Sequence, residues 1–322
     1  MPIEMKPFAF VFPGQGSQSV GMLDGWGDDP VVALTVQEAS DALAQDIGAL
    51  IHDGPKEALA LTTNTQPVML VAGVAAYRAW MARTGVAPAA VAGHSLGEYA
   101  AMVAAGVLTM AQAAPLVRLR ALAMQEAVPV GQGAMAAVLG LASDRVVQLC
   151  QEVTAGFAAS ASESVEAANF NDPMQTVISG SKAAVDKACE VLKAAGARRA
   201  LLLPVSAPFH SRLMRPAAER LREALEDVDF QTPQIAFINN VDVALEVDAD
   251  RIRDALYRQS FRPVRWVECV LAIKARGLSN LVECGPGKVL AGLTARIDVG
   301  LTGMALQDLA SLDSVEAALS AV

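Results

Sequence analysis

Phe8-Ala9-Phe10-Val11-Phe12 is a run of five apolar residues closed at once by Pro13-Gly14. A strand that is wet on one face alternates polar and apolar residues. A strand apolar at every position needs both faces covered, the condition inside a parallel sheet flanked by helices. Ala89-Ala90-Val91-Ala92 repeats the pattern and leads into a helical segment, Leu96 to Ala105, that stops at Gly106. Helical spacing also covers about 30–50 and about 66–81, with Pro67 suited to a first helical turn. Buried strands alternating with helices predict an α/β fold built on a parallel sheet.

The pattern changes after Pro129-Val130-Gly131-Gln132-Gly133. A strand over 134–139 is followed by a helix from Ser143 to about Ala155, with Ser143 as N-cap. Strands over 165–170 and 176–179 flank a turn at Asn171-Asp172-Pro173. Ser181 is placed to cap a helix that ends at Gly196, and 200–205 is a last strand. The order βαββαβ predicts a ferredoxin-like small domain, 130–204, inserted into a large domain of 1–129 plus 205–322. The remaining chain predicts helices at 215–225, 249–257 and from Pro263 to Arg276, with strands at 235–238 and 281–283. No element is assigned to 298–322.

The chain has 322 residues, enough for roughly two domains. With 53% apolar and 18% charged residues it is no disordered chain. Twenty-five Lys and Arg against 34 Asp and Glu leave a net charge of −9, which disfavours general binding to nucleic acid or anionic membrane. Cys150, Cys189, Cys269 and Cys284 show neither CxxC nor Cys/His ligand spacing, so no metal site is expected, and reduced thiols suit the cytoplasm. The first apolar stretch is shorter than the about 7–15 residues of a signal peptide. None approaches the about 20 of a membrane span.

Gly93-His94-Ser95-Leu96-Gly97 matches G-x-S-x-G between a buried strand and a helix. There a tight turn can hold a serine hydroxyl outward, as a nucleophile elbow does, while the helix N-terminus favours a developing oxyanion. Alone the motif would be an ordinary Gly-Ser turn; strand, spacing and helix together favour Ser95 as nucleophile. The chain has three histidines. His94 adjoins Ser95 and should diverge from it, and His52 sits at a helix end beside Asp53-Gly54. His210 follows a strand of the small domain in Ala207-Pro208-Phe209-His210-Ser211, where α/β sites form, and is the expected base. Between Ser95 and His210 the acids Asp144, Asp172 and Asp186 all fall in the small domain, and none is well placed to complete a triad. A backbone carbonyl is the alternative for orienting His210. Phe12-Pro13-Gly14-Gln15-Gly16-Ser17-Gln18 follows the first strand; the N–H of Gln15 is a candidate second oxyanion donor beside that of Leu96. Neither this stretch nor Gly285-Pro286-Gly287-Lys288 has dinucleotide or Walker spacing. Spacing alone leaves Arg118 and Arg120 equal as candidates for gripping an anion.

Phe12 to Gln18, Gly93 to Tyr99, Gln125 to Ala136, Asn169-Phe170-Asn171, Ala207 to Ser211, Asn239-Asn240-Val241-Asp242 and Gly285 to Leu290 together resemble the malonyl-CoA:acyl-carrier-protein transacylases, the acyltransferase family of fatty-acid synthesis. The resemblance runs through nearly the whole chain. It implies an α/β-hydrolase-like large domain with a ferredoxin-like insert. It also implies Ser95 as nucleophile, His210 as base, Gln15 and Leu96 N–H groups as the oxyanion hole, and Arg120 as the arginine that grips a malonyl carboxylate. Gln259 becomes the residue whose main-chain carbonyl orients the base. Malonyl-CoA and holo acyl carrier protein are the implied substrates of a ping-pong reaction in a monomer without metal or redox cofactor. Arg198, Arg199, Lys182, Lys187, Lys193, Arg212 and Arg215 are candidates for docking the carrier. A malonyl transferase serving a polyketide carrier, a serine esterase or thioesterase, and a non-catalytic carrier-binding scaffold are the rival readings.

Overall fold

The computed structural model describes residues 5–157, 163–205 and 207–320. Residues 1–4 at the start of the chain and Ser206, just before the turn that carries His210, lie outside them. The strands are β1 (Phe8–Phe12), β2 (Ala90–Gly93), β3 (Gly133–Leu139), β4 (Val165–Asp172), β5 (Gln175–Ser181), β6 (Arg199–Leu202), β7 (Ala236–Ile238), β8 (Asn280–Cys284) and β9 (Thr302–Leu306). They form two sheets. One has the order β7-β2-β1-β8-β9 with every neighbouring pair parallel. The other has the order β4-β5-β3-β6 with every pair antiparallel.

β1 is central and shows why its sequence is apolar throughout. Phe8, Phe10 and Phe12 face a core shared with the helices Thr62–Thr84, Gly97–Ala104 and Met110–Glu126. Ala9 and Val11 face the opposite core with Trp266, Val270, Ile273 and Leu293. The Phe10 ring meets Trp80 edge-on at 5.8 Å and Tyr77 at 6.0 Å, geometry that adds to burial.

The antiparallel sheet divides its faces as alternation requires. Ala134, Ala136 and Val138 pack under the helices Ser143–Gly156 and Lys182–Ala194. Met135, Ala168 and Val177 face the other way, with Leu203, Val205 and Phe209 against them. β4 is tied to the parallel-sheet unit by backbone bonds from Phe170 N–H to Val264 C=O (2.9 Å) and from Val264 N–H to Ala168 C=O (2.8 Å).

Several elements differ from expectation. The helix expected over 30–50 breaks at Ala44, which has φ 47°, and Asp46 caps a second helix, Ile47–Asp53, by accepting from Ala49 N–H. After a short helix, Lys56–Leu59, the helix Thr62–Thr84 starts a turn earlier than Pro67 suggests, with the Asn64 and Thr65 side chains donating to the Ala58 and Leu59 carbonyls. Neither Ser143 nor Ser181 caps with its side chain: Ser143 pairs with Thr176, and Ser181 donates to Glu163. β4 runs on through Asn171 and Asp172, so the turn is pushed to Pro173-Met174, where Asp172 accepts from Met174 N–H. β6 is shorter than expected: Leu203 N–H still donates to Met135 C=O at 2.9 Å, but the chain then turns, with Val205 N–H on Leu203 C=O at 2.8 Å, and Val205 packs toward Phe209. The tail carries β9 and a capped helix, Leu309–Leu319. Its edge strand is only half buried and lacks the apolar run that marks β1. Among the described residues no helix is long and apolar enough to cross a membrane.

Phe10 is fully buried, so Phe10→Ala is expected to cost about 3–5 kcal/mol of stability, read as a lower urea midpoint. A loss under about 1 kcal/mol would show that the ring is not the keystone of this core.

Candidate active site

Because the parallel strands run together, their carboxyl ends open on one side, where α/β sites form. β1, β2 and β7 are followed two or three residues later by Gln15, Ser95 and Asn240. The turn after β2 is forced by steric contact. A Cβ on Gly93 would stand 1.9 Å from the Gly97 carbonyl carbon, and one on Gly97 would stand 2.1 Å from the Phe12 oxygen. Between these glycines Ser95 adopts φ 53°, a strained conformation for a residue with a side chain. The helix Gly97–Ala104 begins directly after it and turns its N-terminal dipole toward the serine.

Ser95 Oγ lies 2.7 Å from His210 Nε2. His210 Nδ1 lies 2.8 Å from the Gln259 carbonyl oxygen. A carbonyl only accepts, so Nδ1 carries the hydrogen and Nε2 presents its lone pair to the Ser95 hydroxyl. Burial, then the nearby Arg120 charge, lower the His210 pKa to about 3. The ring is therefore a neutral acceptor at ordinary pH. Asp144, Asp172 and Asp186 are not its partners: Asp172 faces Arg296, and Asp186 pairs with Lys182. His210 is oriented by a backbone carbonyl instead of a carboxylate.

Arg120, on the helix Met110–Glu126, is 2% exposed. It donates to Gln66 Oε1 (2.8 Å), Gln259 Oε1 (3.0 Å) and Ser95 Oγ (3.2 Å). All three acceptors are neutral, so a positive charge stands beside Ser95 without a carboxylate bonded to it. The structure thereby separates the two arginines that spacing left equal, since Arg118 reaches Gln45 instead. Gln259 is the hub: its carbonyl holds His210, its Oε1 holds Arg120, and its Nε2 donates to Ser95 O at 2.9 Å.

These groups surround a cavity of about 120 Å³ whose wall includes Gln15, Leu96 and Gln66. Met135 of β3 and Leu203, just past β6, close it from the antiparallel-sheet side, with Phe209 of the turn before His210 beside them. His210 also lines a larger groove of about 680 Å³ with Arg212, Arg215, Phe261 and Arg262. His94 turns away from Ser95, its Nε2 2.8 Å from Asn171 Oδ1. His52 is an exposed partner of Asp24.

Sequence reasoning passed over three buried side chains here. Gln66 supports Arg120. Asn240 Oδ1 accepts from Ser95 N–H at 2.8 Å while its Nδ2 donates to Gly93 O at 2.7 Å. Glu98 Oε2 accepts from Asn240 N–H at 2.8 Å, and burial raises its carboxyl to about 7. Asn240 and Glu98 stood inside motifs that carry the resemblance, which was the one signal available. Among the described residues no three His, Cys, Asp or Glu side chains are grouped to hold a metal ion.

The pattern of the acyl transferase domain matches residues 9–296. The chain is 51% identical over 305 residues to the malonyl CoA-acyl carrier protein transacylase of Escherichia coli (strain K12), covering 94% of this chain and 97% of that one. It belongs to the malonyl-CoA:acyl-carrier-protein transacylase family. Among solved structures, the acyl-carrier-protein S-malonyltransferase of Burkholderia pseudomallei 1710b superposes with a TM-score of 0.93 at 58% identity, over 97% of this chain and 99% of that one. A malonyl-transacylase in complex with its type II PKS acyl-carrier protein superposes with a TM-score of 0.93 at 49% identity, over 97% of this chain and 100% of that one.

Because His210 is buried and kept neutral, labelling of Ser95 by a fluorophosphonate is expected to hold its rate from about pH 7 to pH 5. An ordinary histidine would lose rate near pH 6.5. Arg120→Gln removes the second-largest of the three causes of the lowered pKa, after burial and ahead of His94, and is expected to move the acid limb upward. A wild-type limb centred near pH 6.5 would contradict the placement of this base.

Proposed function

We propose that this transacylase moves a malonyl group from malonyl-CoA to the phosphopantetheine thiol of a holo acyl carrier protein in fatty-acid synthesis, through a malonyl ester of Ser95. The observation that carries the reading is a buried Arg120, bonded to neutral oxygens, beside a Ser95–His210 pair.

In the first half-reaction His210 Nε2 takes the Ser95 proton as Oγ attacks the thioester carbonyl. The tetrahedral oxyanion is received by the N–H groups of Gln15 and Leu96, each worth about 3–4 kcal/mol. The C–S bond breaks, and His210 returns the proton to the departing thiolate of coenzyme A. In the second half the carrier thiol gives its proton to His210, its sulfur attacks the ester, and the proton returns to Ser95 Oγ. Gln259 holds the His210 tautomer through both halves. Arg120 takes the malonyl carboxylate through its planar fork. An acetyl group would leave that charge unmatched, and water-borne loss of the acyl group is not the reaction such a grip selects. No cofactor besides the substrate's own pantetheine is required.

The βαββαβ order with strand sequence β4-β5-β3-β6 supports a ferredoxin-like insertion at 130–204 in an α/β-hydrolase-like unit of 1–129 and 205–322. The four buried free cysteines support a cytoplasmic setting, and a monomer suffices for the site because one chain supplies every group named above. The groove beside His210 is the entry for the pantetheine arm, with Arg212, Arg215 and Arg262 along it. Arg212 itself pairs with Glu166, and of the other docking candidates Lys182 and Lys187 pair with Asp186 and Glu190. A second reading, transfer to a polyketide carrier, is favoured by the relative bound to a type II PKS carrier. Comparing kcat/KM for the two carriers separates them.

Intact mass after mixing with malonyl-CoA is expected to show one added malonyl group on the wild type and none on Ser95→Ala, discharged when holo carrier is added. No adduct, or one lost equally fast without carrier, would sink the transfer reading. Arg120→Ala is expected to lower kcat/KM for malonyl-CoA by about 10³-fold or more while the fold persists. Replacing Arg215 and Arg262 by Ala is expected to raise KM for malonyl-CoA about tenfold more than KM for phosphate-free malonyl-pantetheine. Equal effects on both substrates would remove the two arginines from the groove's role.

A further inference from the structure

Asn240 is fully buried beside the nucleophile, and no step above uses it. Its amide spans the elbow, with one end on the residue before the turn, Gly93, and the other on the serine itself. The orientation is forced. A flipped amide would set its N–H₂ against the Ser95 N–H and its oxygen against the Gly93 carbonyl, leaving two buried clashes of like polarity. Asn240 is itself held: its N–H donates to Glu98, and its carbonyl accepts from Arg265 N–H at 3.2 Å. Glu98 lies in the first turn of the helix that begins just after Ser95. The elbow is thus closed in a ring: strand end, asparagine amide, serine, helix, glutamate and back to the asparagine backbone.

We infer that Asn240, anchored by Glu98, is a positioning residue that fixes Ser95 in its strained turn for both half-reactions. The inference rests on the transfer reading above. Two consequences follow from the geometry. The ring keeps Oγ aimed at His210 Nε2 although Ser95 has a positive φ that an untied backbone would relax. It also commits the Ser95 N–H to a side chain, so that amide is withdrawn from oxyanion binding and the task falls to Gln15 and Leu96. Glu98 has no contact with the reacting atoms; it holds the Asn240 backbone, and its carboxyl also faces Gln259 and the Arg120 charge.

The test is Asn240→Ala measured beside wild type, Glu98→Ala and Glu98→Gln, with thermal melts for each. Asn240→Ala is expected to lower kcat about a hundredfold, the scale of a misplacement near 1 Å, with KM for malonyl-CoA changed less than about threefold. Single-turnover malonylation of Ser95 and its discharge to the carrier should slow by the same factor, because one geometry serves both. Glu98→Gln keeps an oxygen for the Asn240 N–H and is expected to lose far less kcat than Glu98→Ala. A folded Asn240→Ala enzyme with kcat within about twofold of wild type, or with its loss confined to KM, would overturn the inference. Should Asn240→Ala fail to fold, the Glu98 pair decides: equal losses in Gln and Ala overturn it, and rescue by Gln supports it. A wild type that takes no malonyl group would overturn the transfer reading and this inference together.

Discussion

The start of the helix after Ser95 lies so close to the end of β1 that a side chain at Gly97 would meet the Phe12 carbonyl oxygen at 2.1 Å. That approach decides the rest of the site. With Gly97 pressed against β1 and Gly93 pressed against Gly97, the chain has to reverse within the intervening residues, and Ser95 takes the strained position. Its hydroxyl then stands clear of the sheet edge, over the N-terminus of a helix and within reach of a base. The parallel sheet supplies the approach: adjacent strands ending on one side bring Phe12, Gly93 and Ile238 level, and the loops after them converge.

Polar groups at this site are buried, and that raises both their cost and their usefulness. A buried guanidinium is tolerated because three neutral oxygens receive its hydrogens, yet none cancels its charge. The same charge, together with burial, keeps His210 neutral and able to accept a proton. A carboxylate in place of the Gln259 carbonyl would pull that pKa upward and would also compete for Arg120. Using a backbone oxygen to orient the base avoids both effects. This gives a physical reason for a serine–histidine pair without an acid beside a buried guanidinium.

The antiparallel sheet contributes a wall. Met135, Leu203 and Phe209 turn their apolar side chains toward the cavity, while the helices cover the opposite face. Its position is held by β4, through the backbone bridge at Val264 and the Asn171–His94 contact, so the wall is tied to the neighbour of the nucleophile. The Val264 bridge also lies a few residues beyond Gln259, which links the wall to the residue that orients the base.

Much of this was legible in the residue order because the information is local. A five-residue apolar run can only be a strand covered on both faces, and Gly-x-Ser-x-Gly after such a strand marks the tight turn and its serine. The antiparallel unit showed itself through alternation and amphipathic helices. Elements without a local signature were missed or displaced: the half-exposed β9, the break at Ala44, and serines whose hydroxyls found partners other than the helix ends. Gln259 was reachable only by resemblance, since any residue has a main-chain carbonyl and nothing in its type announces the role. By itself the sequence determined the layers, the elbow and which serine the turn presents, since these follow from nearest-neighbour sterics and apolar periodicity, and it singled out the histidine that the structure sets against that serine. Only the tertiary structure decided between Arg118 and Arg120, set a backbone oxygen behind His210 and closed Asn240 and Glu98 around the turn. Those contacts include His210–Gln259 at 49 positions apart and Asn240–Gly93 at 147, and such pairs meet only once the sheet has brought its strand ends together.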